Sequence, residues 1–269
     1  MDSQLRRTTT HVGDLQVGQV WADHDGPVVV LLHGLAEDAR SWASIQQRLT
    51  GHRTVAVELR GHGDTTLGEA DGTLAQLSGD LIAFLEQVTG RGHVVGFSLG
   101  GTIVLDAAAR RPDLFDRVVV VGTSSVVGRS AVAFYGDRIA LVESGDTDAI
   151  RVALMDDTRP AVVTPVDLER LAGTRLEAIG QGHGYVNAAR AMAALGAAPL
   201  TPRLAQIDAK VHVIGADQDS FCPRRAADII VGALPRAEYV EISGAGHLIA
   251  VDQPDALAEA LASALTSSD

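Results

Sequence analysis

Apolar residues along this chain come in short, dense runs: "PVVVLLH" (27–33), "RTVAVEL" (53–59), "GHVVGF" (92–97), "RVVVVG" (117–122), "KVHVIGA" (210–216) and "EYVEIS" (238–243). Val dominates them, and most are apolar on both alternating faces. A strand with that pattern has no wet side, so it belongs in a parallel sheet covered on both faces. Between the runs, apolar positions recur at helical spacing over 41–50, 73–89, 99–110, 223–233 and 254–266. Strands alternating with helices predict an α/β fold with a mostly parallel sheet. Segments 8–12 and 16–22 read as an antiparallel hairpin at the start, which brings the expected sheet to eight strands.

One interval breaks the rhythm. From 124 to 207 the chain shows no strong strand pattern but four helical ones, in "AVAFYGDRIALVES", "DAIRVALM", "VDLERLAGTRLEAI" and "YVNAARAMAAL", punctuated by Gly, Pro and Thr-Pro. That is far longer than a loop. The expected organisation is a core of 1–123 and 208–269 with a helical lid inserted at 124–207. The plainer alternative is a set of extra helices packed on the core.

Composition narrows the class. Apolar residues make up 46% of the 269 and charged residues 21%, which is ordinary globular usage. Aromatics are only 4%, so the core is built from Ala, Val, Leu and Ile. A net charge of −12 without like-charge runs argues against nucleic acid or an anionic membrane as partner. A small-molecule substrate is the expected partner, and a homodimer is left open. The single cysteine, Cys222, excludes an internal disulfide. No apolar h-region opens the chain and no run of 18 apolar residues occurs, so a cytoplasmic protein is expected.

Candidate chemistry centres on Gly96-Phe97-Ser98-Leu99-Gly100, a G-x-S-x-G that directly follows an apolar strand and opens a helix. In that strand–turn–helix setting the serine hydroxyl is exposed on a sharp turn beside a helix N-terminus, which favours developing negative charge. The alternative is a plain strand–helix turn with a capping serine. A serine needs a base to take its proton. Of nine histidines, His247 in "EISGAGHLI" lies in a glycine loop just past the last strand, able to return over the sheet edge. The base needs an acid, and "GADQDSFCP" after strand 210–216 offers Asp217 and Asp219. An oxyanion would be met by backbone N–H groups, one at Leu99 and one at Leu35 in the turn after strand 27–33.

These landmarks, "LLHGLAEDARSW", "ELRGHGDT", "GFSLGG", "DRVVVVGTS", "GADQDSFCP" and "GAGHLIAVDQPD", run in an order that resembles the α/β-hydrolase fold family, and most of all its small bacterial esterases and enol-lactonases. The resemblance spans nearly the whole chain outside 124–207. It implies Ser98 as nucleophile, His247 as base, and Leu35 and Leu99 as oxyanion donors, with no cofactor and no metal. It favours Asp219 as the acid, because the family's acid usually lies four residues before the proline matched by Pro223. The spacing from Gly215 is one residue longer than usual, which keeps Asp217 in play. Glu58 in "ELRGHG" stands where many members have Asp, at a position that is structural in the family.

The expected function is therefore a serine hydrolase acting on a small ester or lactone through an acyl-enzyme. The same fold also supports C–C bond hydrolysis, lyase or cofactor-free oxygenase chemistry, and a binding protein that keeps the triad without turnover is an alternative of another class. An Asp-nucleophile dehalogenase or epoxide hydrolase is excluded by Ser98, and no Cys/His spacing suggests a metal. Substrate choice falls to the insertion, where Tyr135, His183 and Tyr185 are candidate contacts, with Arg138 and Asn187 as further polar candidates; the plainer reading of His183 and Tyr185 in "GQGHGYVN" is a loop and a helix start.

Overall fold

Eight strands form one sheet in the computed structural model, which describes residues 5–266; the ends assigned to the core from sequence, 1–4 and 267–269, lie outside these. The strands are β1 (Arg6–Val12), β2 (Leu15–Ala22), β3 (Val28–Leu32), β4 (Arg53–Val57), β5 (Gly92–Phe97), β6 (Phe115–Val121), β7 (Lys210–Ala216) and β8 (Ala237–Ile242). Their spatial order is β1-β2-β4-β3-β5-β6-β7-β8. β1 pairs antiparallel with β2 and β2 with β4, while β4 through β8 run parallel.

Pleat alternation explains the doubly apolar runs. Val30, Leu32, Val94, Val118, Val120 and Val211 point into one core layer, against Leu77, Leu81 and Ile103 of the helices α2 (Leu74–Phe84) and α3 (Leu99–Arg110). Their neighbours Val29, Leu31, Val95, Val119, Val121 and Ile214 point into the other, against Ile45 of α1 (Ala43–Arg48) and Leu257 and Leu261 of the C-terminal helix Pro254–Thr266. Each such aliphatic side chain, removed from water, contributes about 1.5–3 kcal/mol.

Four helices leave the sheet between β6 and β7: α4 (Arg129–Ser144), α5 (Thr147–Thr158), α6 (Leu168–Ile179) and α7 (His183–Ala194). Asp146 and Asp167 cap α5 and α6 by accepting from Ala149 N and Arg170 N. A small apolar cluster, including Ile150, Leu154, Ala172, Ile179 and Tyr185, holds them together and reaches Ala36 in the turn after β3. The chain then completes β7, α8 (Arg224–Ala233), β8, a short α9 (Ile249–Asp252) and α10 (Pro254–Thr266).

Sequence and structure differ mainly at element ends. The helix expected over 73–89 is α-helical to Phe84 and closes in a wider π-type turn over Leu85–Thr89. The expected 41–50 helix begins as a 3-10 turn at Ala39–Trp42 and ends at Arg48. α9 had no counterpart in the sequence pattern. Glu58 is buried and accepts from Asp64 N at 2.6 Å and from Arg7 Nη2 at 3.0 Å, a structural anchor for the loop after β4.

Candidate active site

β3 hands the chain to β4 on one side and has β5 on its other, so a crevice opens at the C-terminal ends of β3 and β5. The end of β5 carries Ser98 into that crevice. Ser98 sits at φ 51°, ψ −118°, a left-handed conformation that costs a non-glycine residue about 1–3 kcal/mol. The bend is held by Ser98 N donating to Val121 O at 2.8 Å. It also requires bare neighbours. A Cβ on Gly96 would meet Gly100 O at 2.4 Å, and one on Gly100 would meet His33 O at 2.5 Å.

Ser98 Oγ lies 3.0 Å from His247 Nε2, and His247 Nδ1 lies 2.9 Å from Asp219 Oδ2. Asp219 Oδ1 accepts from Phe221 N and Cys222 N, each at 2.8 Å, so both carboxylate oxygens are engaged. Burial by itself raises the Asp219 carboxyl; the His247 charge and hydrogen bond, with the two N–H donors, outweigh it and hold the group below the usual carboxylate range. The His247 ring packs against both Phe97 and Phe221, with centroids 5.0 and 5.2 Å away.

Asp217, the alternative acid, does not touch His247. Its Oδ1 accepts from Gly244 N at 2.9 Å and Ala245 N at 3.3 Å, which ties the acid loop to the loop that carries His247. The extra residue after Gly215 is thus spent on this knot. A buried carboxylate, Asp252 of α9, moors the same loop. It accepts from Gly246 N at 2.8 Å, and from Val163 N at 3.1 Å, Thr164 N at 2.9 Å and Thr164 Oγ1 at 2.6 Å in the stretch between α5 and α6. Leu248 N donates to Ala161 O at 2.8 Å beside it.

Leu99 is the first residue of α3, so its N–H has no acceptor within the helix. Leu35, in the turn after β3, lines the Ser98 cavity. That turn is shaped by Ala36 at φ 58° and by Glu37, whose Oε2 accepts from Gly34 N at 3.0 Å. His33 pins its root: Nδ1 lies 2.8 Å from Gly34 O, and Nε2 accepts from Leu59 N at 3.0 Å.

A cavity of about 70 Å³ surrounds Ser98. Core residues Leu35, Glu37, Phe97 and Phe221 form part of its wall, and the insertion supplies the rest, including Phe134, Tyr135, Leu154, Asp157, Arg175 and Tyr185. Tyr135 and Tyr185 thus come to the site, and burial pushes the Tyr185 phenol up to about 12, so both remain neutral. His183 does not. It is exposed at the start of α7 and absent from the cavity wall. The glycines flanking it serve packing: a Cβ on Gly184 would meet the Gly61 carbonyl carbon and oxygen at 2.4 Å, so α7 presses on the loop after β4 there. Asn187 is a strut, accepting from Gly72 N at 2.7 Å, and Arg138 is paired with Asp157 at 2.6 Å.

Sequence reading missed Glu37 and Arg175. Glu37 shares its turn with Asp38, Arg40 and Ser41, so nothing in the local sequence set it apart. Burial raises its carboxyl above the ordinary range despite the Arg175 charge and the Gly34 N–H. Among the described residues, ligand atoms of Asp219, Cys222 and His247 lie within 4.8 Å of one another. Asp219 and His247 are engaged with each other, and burial together with the Asp219 charge pushes the Cys222 thiol up, which disfavours the thiolate a metal would need. Among the described residues no helix is long and apolar enough to cross a membrane.

Comparison with known proteins agrees with this architecture. A protein named carbamate hydrolase RutD from Agrobacterium fabrum is 28% identical over 237 residues, covering 87% of this chain and 90% of that protein. A hydrolase from Pseudomonas aeruginosa has a TM-score of 0.83 at 24% identity, over 97% of this chain and 98% of the other. The enol-lactonase from Burkholderia xenovorans has a TM-score of 0.84 at 23% identity, over 97% of this chain and 100% of the other. At these identities the structural likeness speaks for the fold alone. The model of the alpha/beta hydrolase family matches residues 29–260, a span that takes in Ser98, the whole insertion, Asp219 and His247, and the chain belongs to that family.

Proposed function

We propose that this hydrolase cleaves a small carboxylic ester or lactone through a Ser98 acyl-enzyme, with 124–207 as its lid. The observation that carries the reading is the unbroken chain Ser98 Oγ–His247 Nε2 at 3.0 Å and His247 Nδ1–Asp219 Oδ2 at 2.9 Å, ending on a serine held at φ 51°. In this mechanism Ser98 Oγ bonds to the substrate carbonyl carbon while its proton passes to His247 Nε2. Asp219 stays ionised and stabilises the imidazolium. The carbonyl oxygen, now an anion, accepts from Leu35 N–H and Leu99 N–H, donors fixed before the substrate arrives. Collapse breaks the bond to the alkoxy group, which takes the proton from His247 Nε2. Water then repeats the sequence on the acyl-serine and frees the acid. In a lactone the leaving alkoxide remains tethered to the acyl group. The name of the Agrobacterium relative points to a carbamate carbonyl, which the same steps would serve.

A fluorophosphonate probe should label the wild type and leave Ser98→Ala unlabelled, and p-nitrophenyl acetate or butyrate should be turned over at ordinary enzyme rates, on the order of 1–1000 per second. Labelling that survives in Ser98→Ala would remove the serine from the mechanism. Absence of turnover on a broad panel of esters and lactones would favour a binding protein instead.

A further inference from the structure

Beside the Ser98 cavity lies a larger chamber of about 340 Å³, within the size range of small-molecule sites. It opens behind the turn after β3, between core and insertion. One wall is Trp42 and Ala43 at the start of α1, another is Ile249 and Ala250 after the base, and Leu171 and Ala178 of α6 close it from the insertion side. Glu37, Phe97, Arg175 and Leu248 belong to the walls of both the chamber and the Ser98 cavity. Phe97 precedes the serine and Leu248 follows His247. At these four residues the chamber adjoins the cavity that holds Ser98 and His247.

Charge at the chamber is largely spent within the protein. Asp38 pairs with Arg40 at 2.7 Å, and Arg40 reaches across to Glu177 of α6 at 2.7 Å, a clasp between core and insertion. Arg175 Nη1 donates to Thr158 Oγ1 at 2.6 Å. At the partition the Arg175 charge acts on Glu37, whose carboxyl is nonetheless raised by burial, and Arg175 Nε is buried without a hydrogen-bond partner among the described residues. Away from that partition the walls at Trp42, Ala43, Leu171, Ala178, Ile249 and Ala250 are apolar, and burying an ionised group against them would be costly. An uncharged apolar group loses nothing in the same place.

We infer that this chamber receives the uncharged apolar arm of the substrate, an alkyl, alicyclic or aryl group well beyond acetyl size, while the ester carbonyl sits at Ser98. The inference rests on the reading of Ser98 as nucleophile and adds the substrate class: an uncharged ester with one medium-length apolar arm, on its acyl or its alkoxy side. Each methylene moved from water into such a wall should raise kcat/KM about fourfold until the chamber is full.

The test compares p-nitrophenyl acyl esters from acetate to decanoate, and acetates from ethyl to octyl, on wild type, Ala43→Phe and Ala250→Phe, with folding checked by circular dichroism melting. In one of the two series kcat/KM should climb with length and then level off. Both substitutions should lower the long-to-short ratio of kcat/KM in that series at least tenfold. In parallel, calorimetry on the Ser98→Ala background should show binding of 2-decanone, a ketone with an octyl arm and no leaving group, weakened at least tenfold by either substitution. If both bulky variants fail to fold, Leu171→Ala, which enlarges the chamber from the insertion side, should move the optimum to longer arms. A flat length profile in both series, or a ratio and a ketone affinity unchanged within twofold in folded variants, overturns the chamber's role while short-ester turnover keeps the hydrolase reading alive. Ketone binding that responds to the substitutions without turnover of any ester sinks the hydrolase reading and keeps the chamber.

Discussion

At the residue scale, the two loop aspartates should separate cleanly. Asp219 has its carboxylate on His247 Nδ1, and Asp217 has its own on Gly244 N and Ala245 N. Asp219→Asn replaces an anion with a neutral amide that fails to stabilise the imidazolium. It should lower kcat/KM on p-nitrophenyl butyrate on the order of ten-thousand-fold, as in the well-studied serine triad. Asp217→Asn keeps an acceptor oxygen for the two backbone donors and should cost less than about tenfold, the effect of slackening one knot worth about 1 kcal/mol. Equal losses would mean that the loop carrying His247 depends on the Asp217 charge itself.

At the element scale, α3 and β3 touch backbone to backbone at Gly100. A methyl there would sit 2.5 Å from His33 O and 2.6 Å from Leu32 O, neither able to swing aside. Gly100→Ala should therefore cost about 3 kcal/mol or more in urea unfolding and spoil the spacing of Leu35 and Leu99. Gly79, mid-way along α2, has nothing within 4 Å of an added Cβ. Gly79→Ala should stabilise the protein by about 0.5–1 kcal/mol through helix propensity. The same contrast explains what the sequence could reveal. Strands and helices were legible because burial on one or two faces writes a period into the chain, and Ser98, Asp219 and His247 were legible because each follows a strand of that period. The insertion was less so. α4 carries apolar residues yet buries none of them fully, and the glycines around His183 mark helix packing rather than a site. Arg175 approaches Leu35 from 140 positions away, a meeting that no local pattern encodes.

At the scale of the whole molecule, the buried histidines set an acid limit. His33 and His62 are 0% and 1% exposed, with ring centroids 5.4 Å apart. Burial, helped for His33 by the neighbouring His62 charge, pushes them down to about 3 and about 4. In the unfolded chain each titrates near 6.5. Between about pH 6.5 and about pH 4 the unfolded state thus holds protons that the folded state does not, so stability rises with pH across that window and is fully present above it. His62 accounts for on the order of 3 kcal/mol of the change. Protonating His33 would also set a new N–H against Leu59 N–H. Urea unfolding at a series of pH values should show this slope, and His62→Gln should flatten it even if the variant is less stable at pH 7.5. A slope unchanged by His62→Gln would assign the acid sensitivity to other groups.

The mooring at Asp252 bears on how such a molecule can be recombined. One carboxylate holds both Gly246, next to His247, and the Val163–Thr164 stretch that joins the two halves of the insertion. Residues 161–164 are therefore common property, belonging to the insertion by position and to the histidine loop by attachment. An engineer who exchanged the entire insertion for that of a relative would import a new specificity and in the same cut unship His247. A graft that replaces α4 and α5, or α6 and α7, and leaves 161–164 in place would let these helices be traded between relatives while the Ser98–His247–Asp219 hydrogen bonds stay intact.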